Sequence, residues 1–149
     1  MTPRGIIIHT VGVPGDTTAG AIRRYHLSLG WADIGYHRVV RKSGVVEDGR
    51  ALWRAGSHTK GANDTWGICV TGDGDREPWT QPQWAAVAKL CAEWCRAKGW
   101  GPEVVRGHRE APAYFGADPT GKSCPGRLVD MDLVRSAVEL TMAVGGKHV

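Results

Sequence analysis

Two histidines and one cysteine stand where their side chains are suited to metal chemistry. His9 ends the apolar run Ile6-Ile7-Ile8. His108 follows a second short β-forming run, Val104-Val105-Arg106-Gly107, and opens a long loop that Cys124 closes just before Pro125-Gly126. Two imidazoles at strand ends and a thiol on a loop make a soft nitrogen–nitrogen–sulfur set that suits zinc. Three protein ligands leave a fourth position for water, as in catalytic zinc sites, whereas a structural site closes with four. The spacing is not the local C-x-x-C type, so by itself it does not establish convergence. Taken singly, His9 also reads as a core or rim histidine that satisfies a backbone carbonyl, and spacing alone leaves both readings open.

These residues must be positioned by the elements around them. GIIIHTV (5–11) predicts a buried strand bounded by Gly5 and Gly12. Asp16, Thr17 or Thr18 caps a helix that runs to about Leu29 and is closed by Gly30. GYHRVVRK (35–42) and VVEDG (45–49) predict a hairpin around Ser43-Gly44, and WGICVTGDG (66–74) another strand. Thr80-Gln81-Pro82-Gln83 is a capping box opening a helix to about Lys98, with Trp84, Val87, Ala88, Cys91, Trp94 and Cys95 on one stripe. EVVRG (103–107) is a short strand, and residues 108–126 a long functional loop. A last amphipathic helix is expected over about 127–143. Strands interleaved with about three helices predict an α/β fold with a mixed central β-sheet flanked by those helices.

Composition narrows the function classes. The 149 residues suit a single domain, 1–149, with a core over about 5–143 and a short C-terminal tail. Hydrophobic residues at 42% and charged residues at 23% exclude a disordered or fibrous chain. A net charge of +4 is too weak and scattered to indicate nucleic acid, and suits a general attraction to an anionic surface such as a bacterial cell wall. No apolar run approaches the ~20 residues a bilayer span needs, so membrane insertion is not expected. No signal core precedes Gly5, so folding in a cytoplasm is expected, without a signal peptide. Cys69, Cys91 and Cys95 fall on predicted core faces and read as buried thiols.

The motifs IIIHT (6–10), GWADIGYHRVV (30–40), AGSHTKGAND (55–64), GICVTGDG (67–74), VVRGHRE (104–110) and GKSCPG (121–126) occur in order along nearly the whole chain. In this the sequence resembles the zinc-dependent N-acetylmuramoyl-L-alanine amidases, the type-2 amidase fold shared with peptidoglycan recognition proteins. It is most similar to the short phage lysozymes that are amidases. The resemblance implies His9, His108 and Cys124 as ligands of one zinc ion, with Tyr36 and Lys122 beside it as the groups on which amidase activity depends. It implies cleavage of the amide between N-acetylmuramic acid and the L-alanine of the stem peptide by zinc-activated water. The partner is then bacterial peptidoglycan, reached after release from a host cytoplasm as a phage endolysin, with no nucleic acid and no membrane insertion; a monomer is expected.

The residue chemistry agrees. In an extended segment residues 122 and 124 point to the same side, so Lys122 faces the site and helps hold an oxyanion. Tyr36 would orient attack by hydrogen bonding, since an ordinary tyrosine pKa near 10 suits a general base poorly at neutral pH. Glu110 is expected to orient a ligating histidine, with a surface carboxylate as the alternative. His37 should face away from Tyr36 on a regular strand unless a bulge intervenes, and the resemblance places it near the substrate cleft. The resemblance likewise puts His58 and Asn63 in the groove wall, where ordinary turn chemistry is the competing account. Trp66 is bulkier than the residue usual there, and Trp53 is a candidate to line a sugar cleft. His26 reads as structural or surface, and His148 as an uninformative tail residue. The rival functions are a peptidoglycan-binding module that does not cut, and a regulator of a phage RNA polymerase.

Overall fold

The computed structural model describes residues 1–146. His148 lies outside the described residues. Among the described residues, five strands form one mixed sheet in the order β3-β2-β4-β1-β5. They are β1 (Ile6–Thr10), β2 (Arg38–Val40), β3 (Val46–Asp48), β4 (Trp66–Val70) and β5 (Val105–Gly107). β1 runs parallel to both β4 and β5, β2 runs parallel to β4, and only β3 is antiparallel, as the hairpin partner of β2.

Strand alternation sorts the sheet into two faces. Ile6, Ile8, Ile68, Val70 and Val105 point to one face, where helices α2 (Gln81–Lys98) and α4 (Met131–Gly146) cover them. Trp66 belongs to this covered face and packs on Trp94 and Trp100, so its bulk does not touch the cleft. The opposite face carries two separate small clusters. Ile7 packs with Ala111 and Phe115 of α3 (Ala111–Phe115). Val39 and Cys69 pack with Ala19 and Ile22 of α1 (Ala19–Ser28). His9 is next in alternation after Ile7 and lies on the face that carries these clusters.

The helix caps follow local chemistry. Of the three candidate caps, Thr18 takes the α1 position and accepts the Ala21 N–H. The Thr80–Gln83 capping box opens α2, and Gly99 closes it in the left-handed conformation. Gln83 is also buried, bonding Thr71 through its amide.

Three expectations about elements are corrected. The strand expected over 35–42 is regular only over Arg38–Val40, because Tyr36 and His37 spend their backbone groups on Arg50, Gly49 and Gly67 outside the ladder. The loop 108–126 is not structureless: a 3-10 turn (His108–Glu110) and α3 occupy its first half, making four α-helices in the described residues rather than three. The last helix begins at Met131 rather than 127. Leu128 and Val129 are already bound to Gly74, Gly126 and Arg109, and the Asp130 carboxylate then accepts the Asp132 and Leu133 N–H groups.

Candidate metal centre and cleft

His9, His108 and Cys124 converge. One ligand atom from each lies within 4.8 Å of the others. His9 is held by β1, which is paired on both sides, and is 2% exposed. His108 follows the last residue of β5, the parallel neighbour of β1, so two strand ends deliver two imidazoles to one place. Their ring centroids are 4.9 Å apart. Cys124 arrives on the returning loop, its Sγ 3.6 Å from His9 Nδ1 and accepting the Thr10 N–H at 3.4 Å.

The ionisation of this trio follows from its surroundings. Burial, with His58 and His108 nearby, pushes the pKa of His9 well below the usual histidine range. Burial and then the Lys122 charge lower that of His108. Both rings are therefore neutral near pH 7, with a lone pair available. Burial raises the Cys124 thiol to about 11, against the opposing pull of the Thr10 N–H and Lys122.

The trio forms the floor of a cleft of about 700 Å³, whose walls include Tyr36, His58, Asp73, Asp75, Lys122 and Arg127. The Tyr36 ring meets that of His9 at a tilt of 53°, with 5.2 Å between centroids. Burial, together with the Cys69 and Cys124 sulfurs beside it, pushes its phenol well above 10. Its hydroxyl is thus a neutral hydrogen-bonding group at any pH of interest. His26 supports this corner, accepting the Gly35 N–H and packing its ring at a tilt against Trp31.

The other site residues fall in different places. His37 is fully buried, with one ring nitrogen accepting the Gly67 N–H and the other 2.8 Å from the Arg54 carbonyl. It fastens the segment before β2 to β4 and does not line the cleft. Asn63 also faces inward: its side-chain oxygen accepts the His58 and Thr59 N–H groups at 2.8 Å each. His58 reaches the cleft from behind His9, its Nδ1 2.9 Å from His9 Nε2. Glu110 turns away from the histidines. Its carboxylate takes both Arg135 guanidinium nitrogens, at 2.8 and 3.0 Å, and the Gly107 N–H. Trp53 is 73% exposed, under the Arg54 guanidinium, and is not among the cleft walls.

Arg109 is the residue that sequence reasoning passed over. Its guanidinium donates to the carbonyls of Ser123, Gly126 and Val129, and its N–H to the Cys124 carbonyl. The residue next to one candidate ligand thereby clamps the loop carrying another. Asp75 grips the same loop from the opposite side, accepting the Ser123 hydroxyl and the Arg127 N–H. The only sequence signal for this was the position of Arg109 within VVRGHRE, between His108 and Glu110.

The sheet and its cleft are of the kind found in amidases and peptidoglycan recognition proteins of known structure. The N-acetylmuramoyl-L-alanine amidase LysC from Clostridium intestinale superimposes with a TM-score of 0.80 at 25% identity, over 91% of this chain and 85% of that one. Drosophila PGRP-LB gives a TM-score of 0.70 at 26% identity, over 86% and 80%. The chain belongs to the N-acetylmuramoyl-L-alanine amidase family, which matches residues 1–127. Among curated relatives, the endolysin of Klebsiella phage KP32 is 33% identical over 128 residues, 80% of this chain and 78% of that protein.

Proposed function

We propose that this chain is a zinc-dependent peptidoglycan hydrolase that cleaves the amide between N-acetylmuramic acid and the L-alanine of the stem peptide. The observation that carries this is the gathering of His9, His108 and Cys124 in a cleft that Tyr36 and Lys122 also line. The donor set fits zinc. Tetrahedral angles with zinc–nitrogen and zinc–sulfur bonds of about 2.05 and 2.3 Å separate nitrogen from sulfur by about 3.6 Å, and His9 Nδ1 and Cys124 Sγ are 3.6 Å apart. Two neutral imidazoles need no proton removed, whereas the thiol loses its proton on binding.

When bound, one zinc ion lowers the pKa of water and polarises a carbonyl, the two things amide hydrolysis requires. His9, His108 and Cys124 would hold it. Tyr36, a neutral donor, orients the scissile carbonyl by hydrogen bonding rather than abstracting a proton. Lys122 brings a positive charge to the cleft, where negative charge develops on that oxygen. Arg109 and Asp75 keep the Cys124 loop in place.

Resemblance to phage endolysins supports the same action on a host cell wall. No helix among the described residues is long and apolar enough to cross a membrane. The test is mass spectrometry of purified peptidoglycan digested with and without a chelator. Free stem peptides with N-terminal alanine, released only without chelator, are expected. Intact walls would point to binding without cutting, and chelator-resistant release would remove zinc from the account.

A further inference from the structure

The loop between β3 and β4 carries His58, Thr59 and Asn63; the His58 ring borders the cleft, yet its bonds, like those of Asn63, run inward. His58 occupies a slot that its neighbours leave for it. A Cβ on Gly56 would run into the His58 ring carbon Cδ2, and one on Gly67 would meet it at 2.6 Å. Asn63 fixes the backbone on either side of that ring through the His58 and Thr59 N–H groups. A ring accommodated and pinned in this way has a set orientation.

That orientation determines where protons sit. His58 Nε2 lies 3.0 Å from the Thr65 carbonyl oxygen, which only accepts, so Nε2 carries hydrogen. With other imidazoles around it and no carboxylate among its hydrogen-bond partners, His58 is neutral, which leaves Nδ1 bare. A bare Nδ1 lying 2.9 Å from His9 Nε2 requires His9 to donate from Nε2. The Thr59 hydroxyl, 2.9 Å from His58 Nδ1 and 3.2 Å from His9 Nε2, allows a parallel route of the same sense: it accepts from His9 and donates to His58. The reverse arrangement would set the lone pair of His58 Nε2 against that of the Thr65 carbonyl.

We propose that His58 is a positioning residue for metal binding, which together with Thr59 holds His9 in the Nε2–H tautomer so that a bare Nδ1 faces Cys124. The chain Thr65 carbonyl, His58, His9 runs from the start of β4 to the metal position. This rests on the zinc reading of the site. It goes further by naming the ligand nitrogen of His9 and the residue that selects it.

Histidine tautomers in metal-free, nitrogen-15-labelled protein are read by long-range nitrogen–proton correlation NMR, and zinc affinity by competition with a chromophoric chelator. Wild-type protein is expected to show His9 as the Nε2–H form before zinc is added. His58→Ala should bind zinc about 10–100-fold more weakly, the usual effect of removing such a partner, and should show His9 in mixed tautomers. His58→Asn, which returns an acceptor near the lost Nδ1, should recover most of that affinity. A folded His58→Ala protein with zinc affinity within about twofold of wild type overturns the proposal, as does an Nδ1–H signal for His9 in the wild type. If His58→Ala does not fold, the wild-type tautomer and the His58→Asn affinity decide. The two failures are distinct: wild-type protein that takes up no zinc refutes the metal reading itself, whereas tight wild-type binding with an indifferent His58 refutes only this step.

Discussion

Replacing Arg109 with methionine keeps most of the stem and removes the guanidinium. Three carbonyls, of Ser123, Gly126 and Val129, then lose their donor, the first two from bonds of 3.0 and 2.7 Å. Hydrogen bonds from a charged donor are worth about 1.5–3 kcal/mol each. A simple sum overshoots, because these carbonyls are partly accessible and water replaces some of what is lost. One bond lost in full with the others partly rehydrated gives about 2–4 kcal/mol. At about 2–4 °C per kcal/mol for a chain of this size, the Tm of the zinc-free protein should fall by roughly 5–15 °C.

The same change should reach the metal. Without Arg109 the segment from Ser123 to Val129 must be ordered when Cys124 engages zinc, so affinity should drop about tenfold or more. A tenfold loss removes about 1.4 kcal/mol of zinc-linked stabilisation, so the rise in Tm on adding zinc should shrink too. Thermal unfolding with chelator and with excess zinc measures both quantities on one sample. Arg109→Lys, which reaches fewer of the carbonyls, should fall between. If Arg109→Met unfolds within about 2 °C of wild type without zinc and binds zinc as tightly, the clamp has no energetic weight and the argument is wrong.

Other outcomes follow from the same contacts. Glu110→Gln breaks the ion pair with Arg135 and should cost about 1–2 kcal/mol of stability while leaving zinc affinity unchanged in chelator competition; a tenfold weaker affinity would return Glu110 to the metal site. Tyr36→Phe and Lys122→Ala should each retain zinc yet lose about 10²–10³-fold in dye release from purified walls, and full activity in either would remove its assigned role. Asp16 accepts from the Arg41 guanidinium, the Lys42 N–H and the Thr71 hydroxyl, and its carboxyl is held down to about 2. Its folded pKa lies below its unfolded value, so its contribution is fully present above about pH 4 and fades as pH falls toward 2. Asp16→Asn should therefore flatten the decline of Tm across that interval, and an unaltered slope would show that the carboxylate contributes nothing.

How much of this was legible in the sequence depended on whether a feature was set by local pattern or by contacts across the chain. The Ile6-Ile7-Ile8-His9 run gave strand β1 and placed His9 at its end, because a buried parallel strand has a composition of its own. The Thr80 capping box was readable because its two bonds join residues three apart. The in-order motifs pointed to the trio before any geometry did. The start of α4 was not readable, since Leu128 and Val129 are held out of the helix by Gly74 and Arg109, far away in the chain. Nor were the directions of His37 and Asn63: both lie in irregular backbone, where no periodicity says which way a side chain turns. Glu110 was misdirected for a related reason. Its proximity to His108 in the chain suggested a shared task, but the 3-10 turn swings its carboxylate toward Arg135 on α4.

These placements divide labour around the cleft. Behind His9, the bonds of the His58 ring and the Asn63 side chain end on the protein's own backbone, on the Thr59 hydroxyl and on His9. On the other side, the Cys124 loop is gripped by Arg109 from within and by Asp75 from the rim. Asp75, Lys122 and Arg127 line the cleft, and Ser123 and Arg127 take part in the bonds that anchor Cys124. The wall that faces substrate is therefore built from the same loop that supplies the thiol. A shift of that loop by one hydrogen bond alters the groove and the metal position together, whereas the opposite wall, held by the sheet through His9 and His58, stays fixed. Changes in the Ser123–Arg127 segment should thus move zinc affinity and wall recognition in step, and changes in the exposed faces of α2 and α4, beyond the covered side of the sheet, should move neither.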